Sequence, residues 1–276
     1  MTNNEVVVEF EGINFGYTKE VQILKDINFK IYKNEYICII GHNGSGKSTI
    51  SKVLSGLLKP QSGTIKLFGE QITPYNIKHL RNNIGVVFQN PDNQFVGLTV
   101  EDDIAFGLEN RKVSPEEMPK IIKLAAEALG ITKLLKKAPN NLSGGQKQLA
   151  AIAGIMAINP EVIIFDESTS MLDPKSKKEL KELMIKLRND LNKTVISITH
   201  DMEEVVNADR VIVLSKGVIK KIDTPTNIFI NNENELELEL DYPFIVKLIK
   251  ELNKKGNNFT LTLDPNEFIK QCQIKK

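Results

Sequence analysis

Short apolar segments set between turn residues fill the first third of the chain, and longer amphipathic segments fill the middle. Val6–Phe10, Ile23–Leu24 and Ile27–Ile31 cluster or alternate β-branched and aromatic residues, which predicts strands. Tyr36–Ile40 is apolar throughout, the pattern of a strand buried on both faces. The run Gly41–Gly46 breaks it, and Thr49–Leu58 then predicts a helix ending near Lys59-Pro60. Thr64–Phe68 and Ile84–Phe88 predict further strands.

Helical spacing takes over next. Ser114-Pro115-Glu116-Glu117 predicts a helix start: a capping serine, a proline suited to the first turn and a glutamate completing a capping box. Met118, Ile121, Ile122, Ala125 and Leu129 share one face, and Gly130 stands at the C-terminal cap position. Another helix is predicted from about Gly145 to Ala157, stopped by Asn159-Pro160. Then strand and helix alternate: Val162–Phe165, a helix opened by Asp173-Pro174 with Leu180, Leu183, Met184, Leu187 and Leu191, Thr194–Thr199, Met202–Val206, and Arg210–Leu214 before a turn at Lys216-Gly217. Such alternation implies a parallel sheet with crossover helices. Pro225 to about Asp241 reads as a connector, with Glu and Leu alternating from Glu235 to Leu240. Pro243–Leu252 reads as a short amphipathic helix, and Thr260–Leu263 as a strand or a helix approach.

Composition narrows the function classes. The 276 residues are 41% hydrophobic and 26% charged with a net charge of +1, as in an ordinary globular chain. There is no basic excess of the kind a nucleic-acid-binding domain shows. Cys38 and Cys272 lie far apart, so neither a disulfide framework nor a four-ligand zinc site is indicated. Met1–Glu5 carries no signal pattern, and no apolar run approaches the ~20 residues of a membrane-spanning helix. Any membrane role is expected to come through a partner.

The candidate chemistry begins at Gly41-His42-Asn43-Gly44-Ser45-Gly46-Lys47-Ser48, which fits G-x-x-x-x-G-K-[ST] between a strand and a helix. Glycines let the backbone curl with its N–H groups toward phosphate oxygens, and the helix that follows adds the positive end of its dipole. Gly41, Asn43, Gly44, Ser45, Gly46, Lys47, Ser48 and Thr49 are therefore the candidate ATP-binding residues. Lys47 can reach the β- and γ-phosphates, and Ser48 can ligate Mg²⁺. Asp166, at the end of an apolar strand, is the second candidate for the Mg²⁺ shell. Glu167 follows it, and there it can orient or deprotonate the attacking water. Leu142-Ser143-Gly144-Gly145-Gln146 precedes a helix and offers a second anion-binding helix start.

These motifs together resemble the ATP-binding-cassette (ABC) ATPases over residues from about 5 to 230. The resemblance implies an α/β P-loop fold: a mixed core sheet, an antiparallel β subdomain and a helical subdomain at about 90–160, followed by a small C-terminal appendage. It implies that Tyr17 stacks on adenine, that Gln89 touches Mg²⁺ or the water, and that His200 contacts the γ-phosphate. Ser143, Gly144, Gly145 and Gln146 are implied to cover a neighbour's nucleotide, and Asp173 closes a segment, Ser170–Asp173, similar to the family's D-loop. One departure stands out: Leu149 occupies the place of the arginine that commonly ends the signature, which puts that charged contact in doubt.

The stretch from Gln89 to Asn110 narrows the resemblance to the energy-coupling factor (ECF) transporter ATPases, the group that includes cobalt- and nickel-importer ATPases. That implies an ATP-hydrolysing subunit at the cytoplasmic face of the cell membrane, energising an importer of vitamins or transition-metal ions. The partners implied are a second ATPase subunit (the same or a different chain), a transmembrane coupling protein and, through the complex, a substrate-binding membrane protein. Gln89 to Asp103 is expected to form the groove for the coupling protein, with Asp102-Asp103 taking part. The domains expected are 1–234 for ATP binding and 235–276 for dimerisation. The alternatives are an ATPase of another ABC importer class and a soluble non-transport cassette. Against the latter stand a lone P-loop and the absence of sustained heptads between Lys47 and Ser143.

Overall fold

The computed structural model describes residues 5–18, 20–231 and 240–274. The chain opens with β1 (Val6–Phe15) and β2 (Leu24–Tyr32), paired antiparallel. β3 (Tyr36–Ile40) starts a second sheet, and the glycine run leads from it into α1 (Lys47–Leu54). β4 (Ser62–Leu67) and β5 (Glu70–Gln71) return to the first sheet, ordered β2-β1-β4-β5. After α2 (Ile77–Leu80), β6 (Ile84–Val87) joins the second sheet. Three helices follow: α3 (Val100–Asn110), α4 (Met118–Ala128) and α5 (Gly144–Ala157). Then come β7 (Val162–Asp166), α6 (Pro174–Asn189), β8 (Thr194–Ile198), α7 (Met202–Val205), β9 (Arg210–Ser215) and β10 (Val218–Asp223). The chain ends in α8 (Pro225–Phe229), α9 (Phe244–Lys254) and α10 (Pro265–Ile274).

The second sheet runs β10-β9-β3-β8-β7-β6. Five of its strands are parallel, and β10 is an antiparallel edge on β9. Parallel strands covered on both faces read as continuous apolar runs, and every residue of β3, β7 and β8 is buried. Alternate residues of β3 serve opposite cores. Ile37 and Ile39 face the antiparallel sheet, where Phe10 and Phe29 stack and α1 adds Ile50, Val53 and Leu54. Tyr36, Cys38 and Ile40 face α6 and α8 through Met184, Leu187, Ile228 and Phe229. α3, α4 and α5 enclose a third core of their own around Ile104, Ile122 and Ala153.

Several expectations shift. α1 starts at Lys47, two residues before the expected Thr49 and directly after the glycine run, because Gly46 (φ 108°) serves as its N-cap; it ends before Gly56 (φ 71°), so Leu57 and Leu58 lie outside it. Ser114 does not cap α4. Its hydroxyl donates to Glu117 (3.1 Å), the turn 114–117 closes on itself, and the helix begins at Met118. Gly130 does adopt the left-handed form (φ 67°) past the end of α4. Leu191 lies beyond α6 and is exposed.

The expected connector is not featureless: Thr224 caps α8, which buries Ile228 and Phe229. The Glu/Leu alternation up to Glu239 and the expected boundary at 234/235 lie outside the described residues. α9 and α10 share a small core of Ile245, Val246, Ile249 and Phe268. Leu240, Tyr242 and Leu263 pack against the core under α6 and α8. Thr260–Leu263 forms no strand; Thr260 instead donates its N–H to Gln271 (2.8 Å). Among the described residues, no helix is long and apolar enough to cross a membrane.

Candidate functional site

The second sheet delivers its functional residues at the C-terminal ends of its parallel strands, where ligands bind in open α/β sheets. β3 ends in the glycine run, β7 in Asp166 and Glu167, β8 in Thr199 and His200, and β6 leads to Gln89.

The glycine run is a tight backbone coil. A Cβ on Gly41 (φ 152°) would stand 2.0 Å from the carbonyl oxygen of Leu214, so only glycine lets the coil lie against β9. Lys47 is buried at the first turn of α1, and its Nζ donates to the carbonyls of Gly41 (2.7 Å) and His42 (3.0 Å). Burial lowers its affinity for a proton, while Glu167 and Asp166 work in the opposite direction. Ser45 is buried with its hydroxyl unpaired, and Ser48 is exposed beside it while Thr49 turns into the protein.

Asp166 is nearly buried, and burial pushes its carboxyl above the usual range, opposed by Lys52 and Lys47. Glu167 takes a left-handed backbone (φ 49°), uncommon for a residue with a Cβ. That turn lets its N–H donate to the carbonyl of Ile198 on β8 (2.8 Å). Three side chains converge there: Gln89 Nε2 donates to Glu167 Oε2 (3.2 Å), and His200 Nδ1 lies 4.0 Å from the same oxygen. Ser170, whose part in the site the sequence did not disclose, braces them. Its hydroxyl donates to the carbonyl of Glu167 (2.8 Å) and accepts from Gln89 (3.3 Å).

A cleft of about 650 Å³ is lined by Gly41, His42, Asn43, Gln89, Glu167, His200, Met202, Leu240 and Asp241. A second hollow of about 500 Å³ shares Asn43 and Glu167 with it and adds Tyr17, Ile23, Gly44, Gly46, Lys47, Ser48 and Thr49. The two meet across the coil. Tyr17 stands largely exposed at its far end, edge-on to Phe15 at 5.1 Å. Leu240 and Asp241 reach this cleft from beyond the sheet, and no local sequence signal announces that.

The signature residues line neither hollow. Ser143 caps α5: it accepts from the N–H of Gln146 (3.3 Å), and Gln146 Oε1 accepts from the N–H of Ser143 (3.2 Å). Ser143 and Gly144 are exposed. A Cβ on Gly145 would stand 2.4 Å from Ser176 Oγ, so glycine permits α5 to approach the start of α6. Asp173 caps that helix by accepting from the N–H groups of Lys175 and Ser176 (3.0 and 3.1 Å). The hydroxyl of Ser176 (2.6 Å) chiefly holds its carboxyl below the ordinary range. Leu149 is half-buried against the core of α3, α4 and α5, an apolar role in place of the family's charged one.

The coil fits phosphate: it combines a Cβ-free approach, a buried ammonium, an unpaired buried hydroxyl and a helix N-terminus. Ser48, Asp166 and Gln89 supply the hard oxygen donors that Mg²⁺ prefers.

The ABC transporter family model matches residues 24–170. The energy-coupling factor transporter ATP-binding protein EcfA1 of Ureaplasma parvum is 63% identical over 271 residues, covering 98% of this chain and 92% of that protein. The structure of cbiO1 from Clostridium perfringens, described as part of the ABC transporter complex cbiONQ, superposes with a TM-score of 0.78 at 34% identity, over 91% of this chain and 99% of that one. The dimeric ATP-binding cassette MJ0796 in a post-hydrolysis state with ADP and Pi gives 0.72 at 28% identity, over 79% of this chain and 98% of that one. With the fold, the phosphate coil and these likenesses in agreement, the chain belongs to the ABC transporter ATPases and, within them, to the energy-coupling factor transporter ATP-binding proteins.

Proposed function

We propose that this chain hydrolyses ATP with Glu167 as the residue that orients or deprotonates water, and that it does so within a head-to-tail pair of cassettes. The observation that carries the reading is the meeting of Gln89, Glu167 and His200 above the coil that holds Lys47. Gly41 to Thr49 cradle the phosphates, Lys47 neutralises the outer ones, and Tyr17 faces the adenine. Ser48, Asp166 and Gln89 would hold Mg²⁺, which would supply charge neutralisation on the phosphate oxygens. His200 steadies the terminal phosphate, and Gln89 fixes the rotamer of Glu167.

The signature stands apart from this chain's own cleft, as a head-to-tail pair requires. Ser143 to Gln146 would cover the nucleotide held by the other cassette, with Asp173 beside them. ATP then glues the pair, hydrolysis removes the bridge, and the pair opens.

The pair serves an energy-coupling factor importer through a transmembrane coupling protein and, beyond it, a substrate-binding membrane protein. That places the chain at the cytoplasmic face of the membrane. Its cargo, a vitamin or a transition-metal ion, is selected by another chain. Residues beyond the ATP-binding unit, from about 235, hold the pair together. The segment after Gln89 is the docking surface, with Val96 (68% exposed) and Leu98 (84%) as its apolar contacts. Asp102 and Asp103 serve that surface indirectly: Asp102 accepts from Thr99, and Asp103 accepts from the N–H groups of Val96 (2.7 Å) and Gly97 (3.1 Å).

Glu167→Gln tests the catalytic part. Turnover falls by about 10²–10⁴, as for loss of a general base, and a stable ATP-bound dimer accumulates. Unchanged hydrolysis would remove Glu167 from that role. Co-purification from solubilised membranes tests the partners, and recovery without a membrane component would contradict them.

A further inference from the structure

Glu204 lies on α7, four residues past His200, and its side chain is fully buried. A buried carboxyl is costly unless hydrogen-bonded, and three hydroxyls from two segments meet this one. Ser197 on β8 donates to Oε1, and Thr199, immediately before His200, donates to Oε2 (3.4 Å). Thr169, two residues past Glu167, donates to the same Oε2 (3.3 Å). Thr169 and Thr199 are buried and turn away from the cleft.

We propose that Glu204 is a positioning residue for hydrolysis: its carboxyl ties the turn after Glu167 to the strand end before His200, so that carboxylate and imidazole meet the terminal phosphate together. This rests on the roles given above to Glu167 and His200. Below this point the two segments are paired as β7 and β8, and the bond from the N–H of Glu167 to the carbonyl of Ile198 closes that ladder. Past the end of the ladder the two chains turn apart, and the carboxyl of Glu204 ties those turns to each other at Thr169 and Thr199. Small misplacements near reacting atoms are costly, about 10²-fold for an ångström.

The tie is also sensitive to protonation. Burial raises the carboxyl to about 7, with the hydroxyl of Ser197 opposing. Asp201 pushes it further up, and Lys181, paired with Asp201 at 2.7 Å, pulls it down. Tyr36 and Cys38 face it from β3, both kept neutral by burial. Ionised, the carboxylate accepts all three hydroxyls. Protonated, it must donate to one of them, and one tie reverses.

The test measures ATP hydrolysis by the full chain in its transporter complex, from about pH 6 to about pH 8.5, for wild type, Glu204→Gln and Glu167→Gln. Glu204→Gln is expected to lower kcat about 10- to 100-fold while KM for ATP stays within about twofold. The wild type should change its kcat near neutral pH, and that change should be absent from Glu204→Gln. A wild-type kcat, or a pH profile of wild-type shape, overturns the proposal. Should Glu204→Gln fail to fold, Thr169→Val and Thr199→Val carry the test: each should lower kcat without moving KM, and wild-type kcat in both overturns it. If Glu167→Gln loses turnover while Glu204→Gln behaves as wild type, the positioning proposal alone falls. If Glu167→Gln keeps turnover, the catalytic reading beneath it falls too.

Discussion

In the proposed site, Lys47 is the residue through which fold becomes affinity. Its ammonium sits in the coil on two backbone carbonyls, and burial makes the proton easier to lose. An arriving polyphosphate supplies the negative charge that reverses that bias. Lys47→Ala is therefore expected to abolish useful nucleotide binding, measured by titration with a fluorescent ATP analogue; wild-type affinity would contradict the coil's role. Glu204 makes the matching statement about stability. Its folded carboxyl titrates at about 7, above the ordinary 4.5. Between those values the folded state holds a proton that the unfolded state has lost, so its stability falls as pH rises through that window and levels off above about 7. Relative to Glu204→Gln, the wild type should thus lose stability between about pH 5 and about pH 7, by up to ~3 kcal/mol, in urea melts. A flat difference across that window would show that the carboxyl does not titrate there. The two residues differ in how far the sequence announces them: Lys47 belongs to a spacing that names its chemistry, whereas Glu204 is one of two adjacent glutamates in an ordinary helical stretch.

Elements connect the cleft to its surroundings. The segment between Gln89 and α3 is stiffened from within. Thr99 and Asp102 form a reciprocal cap on α3, and Asp103 gathers two backbone N–H groups. Lys147 on α5 reaches Asp92 at 2.5 Å, tying this segment to the signature helix. The sequence suggested the two aspartates as docking residues; their side chains are occupied in shaping the loop, and charge reversal there would collapse the surface rather than probe it. Leu98, exposed and outside these bonds, is the better probe. Leu98→Asp should weaken assembly with the membrane subunits by about 2 kcal/mol, as for a central interface residue, and leave melting of the free chain nearly unchanged. Undiminished co-purification would move the docking surface elsewhere. Element boundaries drifted where local signals competed. Ser114 looked like a cap, but its hydroxyl found Glu117, and the helix waited for Met118.

At the scale of the whole molecule, the proposed site needs two sheets held at a fixed angle, so that the cleft and Tyr17 face one nucleotide. Arg210 at the start of β9 joins them. Its Nε and Nη2 donate side by side to the two carboxylate oxygens of the buried Glu35 (2.5 and 3.1 Å), and Nη2 also donates to the carbonyl of Lys30 on β2 (2.7 Å). Its plane also lies 5.1 Å above the ring of Tyr32. Arg210→Ala takes the cation from Glu35 and leaves it only the N–H of Tyr32 (2.8 Å) among these partners, which costs about 3 kcal/mol. Equilibrium urea unfolding would register it, and a loss below about 1 kcal/mol would mean that the pair is dispensable.

Local pattern alone determined much of this protein. Apolar runs gave the parallel strands, because a strand covered on both faces must be apolar whatever its neighbours are. Glycine spacing gave the phosphate coil, because the backbone can curl that tightly only without side chains. The end of β7 gave Asp166 and Glu167. What the chain could not declare locally were meetings between distant segments: Ser170 bracing Gln89, Leu240 and Asp241 at the rim, and Glu204 beneath the turns that carry Glu167 and His200. Those depend on which strand ends lie side by side, and strand order is settled by packing across the sheet, a property of the folded whole that no stretch of sequence carries by itself.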